Sequence, residues 1–216
     1  MKTKLQGKVI CVALNDKQQL EHMADTFKQQ PYKALPTEPV LYFKPHNTWQ
    51  QGDNSIEWPT HADSLVVGAS VAVIMAKQCC RVSESEAMNY VEGFALFHDF
   101  SLPETSYYRP DIKGKCIDNS ASISAPILKS DVADLAALEV QTSVNGALQR
   151  TFPLSQQSRT IEQLINKISH IMTLEKGDVI AVGFAGERVE LQPGDQVSSC
   201  LGNVLSLENN IEGVEA

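Results

Sequence analysis

Apolar positions in this chain fall in short dense runs between polar, turn-rich spans, a pattern that predicts strands more often than helices. The longest run, Leu65 to Met75, is relieved only by Gly68, Ala69 and Ser70. It predicts a buried strand, being too short for a membrane span of about 20 apolar residues. Lys8 to Leu14, Val40 to Lys44 and Phe94 to Phe97 predict three more strands, the last ending on His98 and Asp99. Leu20, Met23, Ala24 and Phe27 recur at helical spacing and predict a helix over Lys17 to Gln30, with Asp16 and Gln19 as its capping pair. Ser83 followed by Glu86 predicts another helix start. Thr160 to His170 predicts a third helix, capped by Thr160 and Gln163, with Ile161, Leu164, Ile165 and Ile168 on one face.

The spans between these elements carry their own signals. Val144-Asn145-Gly146 predicts a tight hairpin at the end of a strand, because Asn-Gly accepts the two positive φ angles such a turn needs. Leu174 to Gly183 and Leu191 to Leu201 each pass through Gly-Asp into an apolar run, an echo that predicts consecutive strands of one antiparallel sheet. Asn47 to Pro59, with Gln51-Gly52-Asp53-Asn54 at its tip, reads as a hairpin or the edge of an active site. The long stretch after Asp99 has little periodicity, and Tyr107 and Tyr108 beside Arg109 favour an ordered loop. From Glu208 the chain is acidic and reads as a fraying tail. The sum is one β-rich α/β domain over residues 1–216, with a core from about residue 8 to 207.

Composition narrows the function. With 43% hydrophobic and 20% charged residues the chain reads as an ordinary globular protein. Its net charge of −8 argues against nucleic acid or an anionic membrane as the main partner and leaves a small molecule or another protein. The first residues lack a signal-peptide pattern, so the expected location is cytoplasmic. The five cysteines are odd in number and form no Cys-x-x-Cys pair, so they are expected to stay reduced.

The segments GASVAVIMAK (Gly68 to Lys77) and GFALFHDFS (Gly93 to Ser101) resemble two segments of the fumarylacetoacetate hydrolase family, Glu-x-Glu-Leu-Ala-Val-Val-Ile-Gly-Lys and Gly-Tyr-x-x-x-Asn-Asp-x-Ser. Further matches run in order: Leu14-Asn15, Lys44-Pro45, Gly114-Lys115 with Asp118, and Val144-Asn145-Gly146. The resemblance implies a mixed α/β fold of curved sheets or a β-roll with short peripheral helices. It also implies a Mg²⁺ or Mn²⁺ site, in which the family's two glutamates fall on Gly68 and Ser70 and its aspartate on Asp99. Asp99 is then a residual ligand and metal binding is expected to be weak or absent, unless Glu57, Asp63 or Glu104 reaches in from a loop. Lys115 and Asp118 carry over as catalytic residues, and Arg109 and Asn119 as substrate contacts, Asn119 standing for a family threonine. The family's His base falls on Gln19, whose amide cannot take a proton at neutral pH, and its orienting Glu falls on His22. His22 is either a replacement base or a solvent-facing helical histidine. A family threonine that contacts substrate falls on Phe184.

Within the family, FHDFSLPETSYYRPDIKGKC is similar to the amino-terminal half of bifunctional decarboxylase/isomerases of 4-hydroxyphenylacetate catabolism, which also lacks the glutamate pair. The implied function is a subunit or paralogue of such an enzyme, acting on oxo/enol di- and tricarboxylic acids such as 5-oxopent-3-ene-1,2,5-tricarboxylate. It would dimerise or pair with a glutamate-bearing sister subunit. Two alternatives stand beside it: a non-catalytic scaffold or regulatory module, and a metal-independent enzyme using Lys115 as electrophile.

Overall fold

The computed structural model describes residues 7–51 and 54–213. Its strands are β1 (Val9–Ala13), β2 (Val40–Lys44), β3 (Trp49–Gln51), β4 (Ile56–Glu57), β5 (Leu65–Met75), β6 (Val91–Ser101), β7 (Ala121–Ile123), β8 (Ile127–Leu128), β9 (Glu139–Val144), β10 (Ala147–Pro153), β11 (Val179–Ala181), β12 (Val189–Leu191), β13 (Gln196–Leu201) and β14 (Leu205–Glu212). The helices are short: α1 (Lys17–His22), α2 (Ala24–Phe27), α3 (Glu84–Ala87), α4 (Ile112–Lys115) and α5 (Ile161–Ile171). A nine-stranded sheet runs in the order β2-β1-β11-β5-β6-β7-β3, with β12 on β5 and β8 on β6; a five-stranded sheet runs β10-β9-β13-β14-β4.

The large sheet is forced to curl. Its two outer strands, β2 and β3, are joined through Pro45 and the single 3₁₀ turn His46–Thr48. Strands that close in sequence can be opposite edges only if the sheet rolls until its edges meet. Trp49 Nε1 marks the seam by donating to the carbonyl of Lys44 (2.6 Å).

The pair β5–β6 forms the spine, with Gly68 opposite Asp99 and Ser70 opposite Phe97. Side chains alternate across a strand. Ala69, Val71, Val73 and Met75 therefore pack with α5 and the second sheet, in a cluster that includes Leu164, Ile165, Ile168, Val140, Leu201 and Leu207. Ala72 and Ile74 turn the other way, into the roll, beside Val9, Cys11, Ala95, Phe97 and Phe184. Gly68 and Ser70 share that inner face. Helix α5 has both halves of its capping box, and each of its three buried aliphatic side chains contributes about 1.5–3 kcal/mol by burial.

Several expectations are corrected. The helix over Lys17 to Gln30 is two short helices joined at Met23 (φ −87°, ψ 3°). Asp16 caps α1 by accepting from Gln18 N, while Gln19 turns away to Tyr107 and completes no capping box. Strand β6 begins earlier and ends later than Phe94 to Phe97. The aperiodic stretch after Asp99 contains α4, β7 and β8. The strands on either side of the 51–54 turn belong to different sheets and form no hairpin; residues 52 and 53 lie outside the described part. The Gly-Asp echo is one turn built twice: Glu175 N donates to Asp178 and Gln192 N to Asp195 (2.7 Å each), with Gly177 and Gly194 at positive φ. The strands that follow, β11 and β13, nevertheless join different sheets. The acidic tail does not fray at Glu208, because β14 continues to Glu212 with Leu205, Leu207, Asn209 and Ile211 buried in strict alternation. The Asn145-Gly146 turn is as expected, with φ of 51° and 79°. Among the described residues no helix is long and apolar enough to cross a membrane.

Candidate active site

His98 and Asp99 are neighbours that serve opposite faces of β6. His98 points to the second sheet, between Ser199 Oγ and Asn209 Oδ1 at 2.8 Å each. Asp99 points into the roll, fully buried. Its carboxylate is surrounded by four donors from three parts of the chain. Lys44 Nζ, from β2, reaches Oδ1 at 2.8 Å. Arg188 Nη1, just before β12, lies 2.7 Å from Oδ2. Tyr42 Oη donates to the same oxygen at 2.6 Å, and Lys115 Nζ, at the end of α4, stands 3.5 Å away.

Register places these groups. Val189 pairs with Val67 on one side of β5, and Asp99 pairs with Gly68 on the other. The residue before Val189 therefore comes alongside Gly68, where no side chain separates its guanidinium from the carboxylate. Arg188 also stacks on the Phe184 ring (4.7 Å), donates through Nη1 to the Asp99 carbonyl (3.0 Å) and through Nη2 to Tyr42 Oη (3.2 Å). Lys44 is held on Asp99, the carbonyls of Phe100 and Lys115, and Ser120 Oγ, all within 3.2 Å. It locks the inner face of the roll to the loop that carries Lys115. Lys115 is held more loosely, at 3.3–3.5 Å from Glu104, Ser101 and Asp99, with its ammonium 5.0 Å from the centre of the Tyr42 ring.

Burial alone would raise the Asp99 carboxyl, but Lys44, Arg188 and Lys115 outweigh it and hold the group well below the usual carboxylate range. Burial would likewise lower Arg188, and Asp99 reverses that. Burial and the Asp99 charge both push the Tyr42 phenol well above its ordinary value. Tyr42 therefore keeps its proton and serves as a hydrogen-bond donor to Asp99.

The cluster borders a cavity of about 500 Å³ whose wall includes Tyr42, Glu104, Tyr107, Tyr108, Arg109 and Lys115. A second cavity of about 460 Å³, with Gln19, His22 and Glu187 on its wall, shares Glu104 and Tyr107 with the first. The loop between them is tied down by Gln19 to Tyr107 Oη (2.8 Å) and by Tyr32 Oη to Tyr107 N (2.7 Å) and Ser106 (2.9 Å). The residues singled out in sequence thus separate. Asp99 and Lys115 meet in the cluster, and Arg109 lies on the cavity wall near them. Asp118 is exposed and accepts from Asn47; Asn119 is exposed beside it, so neither reaches the cluster. Glu104 does reach in, as a partner of Lys115, whereas Glu57 and Asp63 are exposed elsewhere. His22 is exposed at the end of α1. Arg188 and Tyr42 carried no signal in the sequence; the alternation that puts Tyr42 and Lys44 on one face of β2 was the one available hint.

Residues 8–212 match the family model "Fumarylacetoacetate (FAA) hydrolase C-terminal", and the chain belongs to that family. It is 37% identical over 207 residues to the 4-hydroxyphenylacetate degradation bifunctional isomerase/decarboxylase of Escherichia coli, an alignment covering 96% of this chain and 47% of that protein. The chain thus spans about half the length of the curated relatives of this kind that it matches. Its fold is shared with 5-carboxymethyl-2-hydroxymuconate delta-isomerase from Mycobacterium smegmatis (TM-score 0.83, 24% identity, 100% of this chain and 82% of that one). It is also shared with fumarylpyruvate hydrolase from Pseudomonas aeruginosa, solved in complex with Mn²⁺ and pyruvate (TM-score 0.80, 17% identity, 95% of this chain and 89% of that one).

A divalent ion does not fit the residues present here. A Cβ built on Gly68 would meet Arg188 Nη1 at 2.8 Å, so the guanidinium fills the space a ligand at that position would need. Ser70 is fully buried and accepts from Gly183 N (3.3 Å). The Asp99 carboxylate is already taken by cations, and among the described residues no group of three or more His, Cys, Asp or Glu side chains converges.

Proposed function

We propose that this chain is a subunit or half of a decarboxylase/isomerase acting on oxo/enol di- and tricarboxylic acids of 4-hydroxyphenylacetate catabolism, with a degenerate metal site. Its own part is to bind the acid, and the metal-dependent step belongs to a glutamate-bearing sister. The observation that carries this reading is the charge of the cluster beside the cavity. Lys44, Lys115 and Arg188 face Asp99 and Glu104, three positive groups against two negative, which leaves one positive charge for an anionic ligand in a chain whose net charge is −8. The similarity to a bifunctional isomerase/decarboxylase over 96% of the chain supports the substrate class. The exposed Phe43, Tyr108 and Ile112 at the cavity mouth support pairing with a second subunit. On this reading Lys115 and Arg109 contact the acid, the chain alone binds Mg²⁺ or Mn²⁺ weakly, and the complex is cytoplasmic.

The test is to mix the chain with a homologue carrying both glutamates and to follow sedimentation together with carbon dioxide release from 5-oxopent-3-ene-1,2,5-tricarboxylate. The expected result is a complex that turns over faster than the homologue alone, with little release by this chain alone. A complex with unchanged turnover supports the scaffold reading instead. Absence of both association and turnover would sink the proposal.

A further inference from the structure

The charge at the centre of this site is already supplied by a side chain. Arg188 lies beside Gly68, paired with Asp99, in the space a side chain at position 68 would require. A guanidinium has five N–H donors in a planar fork, and the contacts to Asp99 Oδ2, the Asp99 carbonyl and Tyr42 Oη use three of them. Its side chain is 13% exposed, so it is neither sealed in the core nor freely hydrated.

The neighbouring cation is poised in the same way. All three oxygens around Lys115 Nζ stand at 3.3 Å or more, longer than a tight charged hydrogen bond of about 2.7–2.9 Å. One of them belongs to Glu104, a partly exposed carboxylate on the cavity wall whose charge also acts on Arg188. Glu104 thus puts a carboxylate of the protein against Lys115 at the cavity wall, within electrostatic reach of Arg188, whose hydrogen-bond partner Tyr42 lines the same cavity. In this poorly hydrated setting a charged pair is worth more than it would be in bulk water.

We propose that Arg188 and Lys115 form a metal-free site for the carboxylate or enolate oxygens of a small 2-oxo acid, occupied in the free protein by Glu104, which the ligand displaces. The proposal rests on the functional reading above for its ligand class. It adds that the positive charge at this point is supplied by a guanidinium of the chain. Lys44 stays on Asp99 throughout and holds the framework. Tyr42, kept protonated, remains a hydrogen-bond donor beside the ligand.

Oxalate is a suitable probe, being a planar dianion with the oxygen arrangement of a 2-oxo acid enolate. Calorimetric titration of the intact chain with oxalate in excess EDTA should show binding. Lys115→Met, which leaves the Arg188–Asp99 pair in place, should weaken it by about tenfold or more, the loss expected for one charge-assisted contact. Arg188→Lys, which keeps the charge and so protects folding, should also weaken it because the fork is lost. Glu104→Gln should tighten it. Circular dichroism on each variant separates lost binding from lost folding. No binding in EDTA, binding that appears only with Mn²⁺, or wild-type affinity in folded Lys115→Met and Arg188→Lys would overturn the proposal, as would unchanged affinity in Glu104→Gln. Oxalate binding in EDTA by a chain that neither pairs with a sister nor affects turnover would sink the functional reading alone. Enhanced turnover with oxalate bound only through Mn²⁺ would sink this inference alone.

Discussion

Arg188 Nη1 lies 2.7 Å from Asp99 Oδ2, and the residue beside both is a glycine. The absence of a side chain at position 68 is what permits the pair. A Cβ there would stand 2.8 Å from the guanidinium and 2.9 Å from the Phe184 ring, closer than packed atoms approach.

Placing glutamates at positions 68 and 70 is therefore expected to be insufficient to create a metal site. Gly68→Glu/Ser70→Glu should pair its new carboxylate with Arg188 and gain little affinity for Mn²⁺, whereas the same variant with Arg188→Gly should bind it. Calorimetry on both, with circular dichroism to confirm folding, checks this. Micromolar Mn²⁺ binding by the double variant with Arg188 in place would refute it.

Asp99→Asn should be among the most damaging single changes in the chain. It leaves Lys44, Arg188 and Lys115 facing one another without their shared anion, a loss of about 3–5 kcal/mol for a broken buried pair. The effect has a defined pH dependence. The folded carboxyl sits well below the unfolded value of about 3.9, so the unfolded chain takes up a proton first as pH falls. The stability Asp99 contributes is thus full above about pH 5 and is lost as pH falls through the folded value. Denaturant midpoints of wild type and variant should differ by a constant amount from neutral pH to about pH 5 and converge below about pH 4. A difference that already vanishes near neutral pH would contradict the assignment.

Asn15→Ala should destabilise the protein by about 2–4 kcal/mol without touching the cluster. The buried Asn15 amide donates to the carbonyls of Val182 (2.7 Å) and Arg159 (3.0 Å), and its oxygen accepts from Arg159 N (2.8 Å). It ties the end of β1, where Leu14 turns to positive φ, to the loop after β11 and to the entry of α5. Thermal unfolding measures the loss. A shift of under a degree would show that water replaces these bonds.

Thiol reactivity should follow burial. Burial first, and the Asp99 charge second, push the Cys11 thiol up to about 12, and burial raises Cys79. Cys80 is exposed. At about pH 8 a disulfide reagent should label Cys80 rapidly in the native protein and leave Cys11 and Cys79 unmodified, while the unfolded, unreduced chain should yield five free thiols. Rapid native labelling of Cys11 would show that the roll opens.

Much of this protein was determined locally. The period of apolar residues marks β5 and α5, Asn145-Gly146 turns β9 into β10, and two Gly-Asp turns are built by the same side-chain bonds, because in each case the interacting groups lie a few residues apart. The segments around Gly68 and Asp99 that carry the family resemblance are likewise local. Which sheet a strand joins was a different matter: β11 and β13 follow near-identical turns into different sheets, since strand partners are chosen by contacts distant in sequence. The same is true of the site. Lys44, Asp99, Lys115 and Arg188 span most of the chain and converge only when the sheet rolls its edges together and β12 pairs with β5, so that Arg188 becomes the neighbour of Gly68. Local chemistry decided the elements; closure of the roll decided which cations meet Asp99, because a charge buried in the fold takes its partner from whichever strand the register brings within reach.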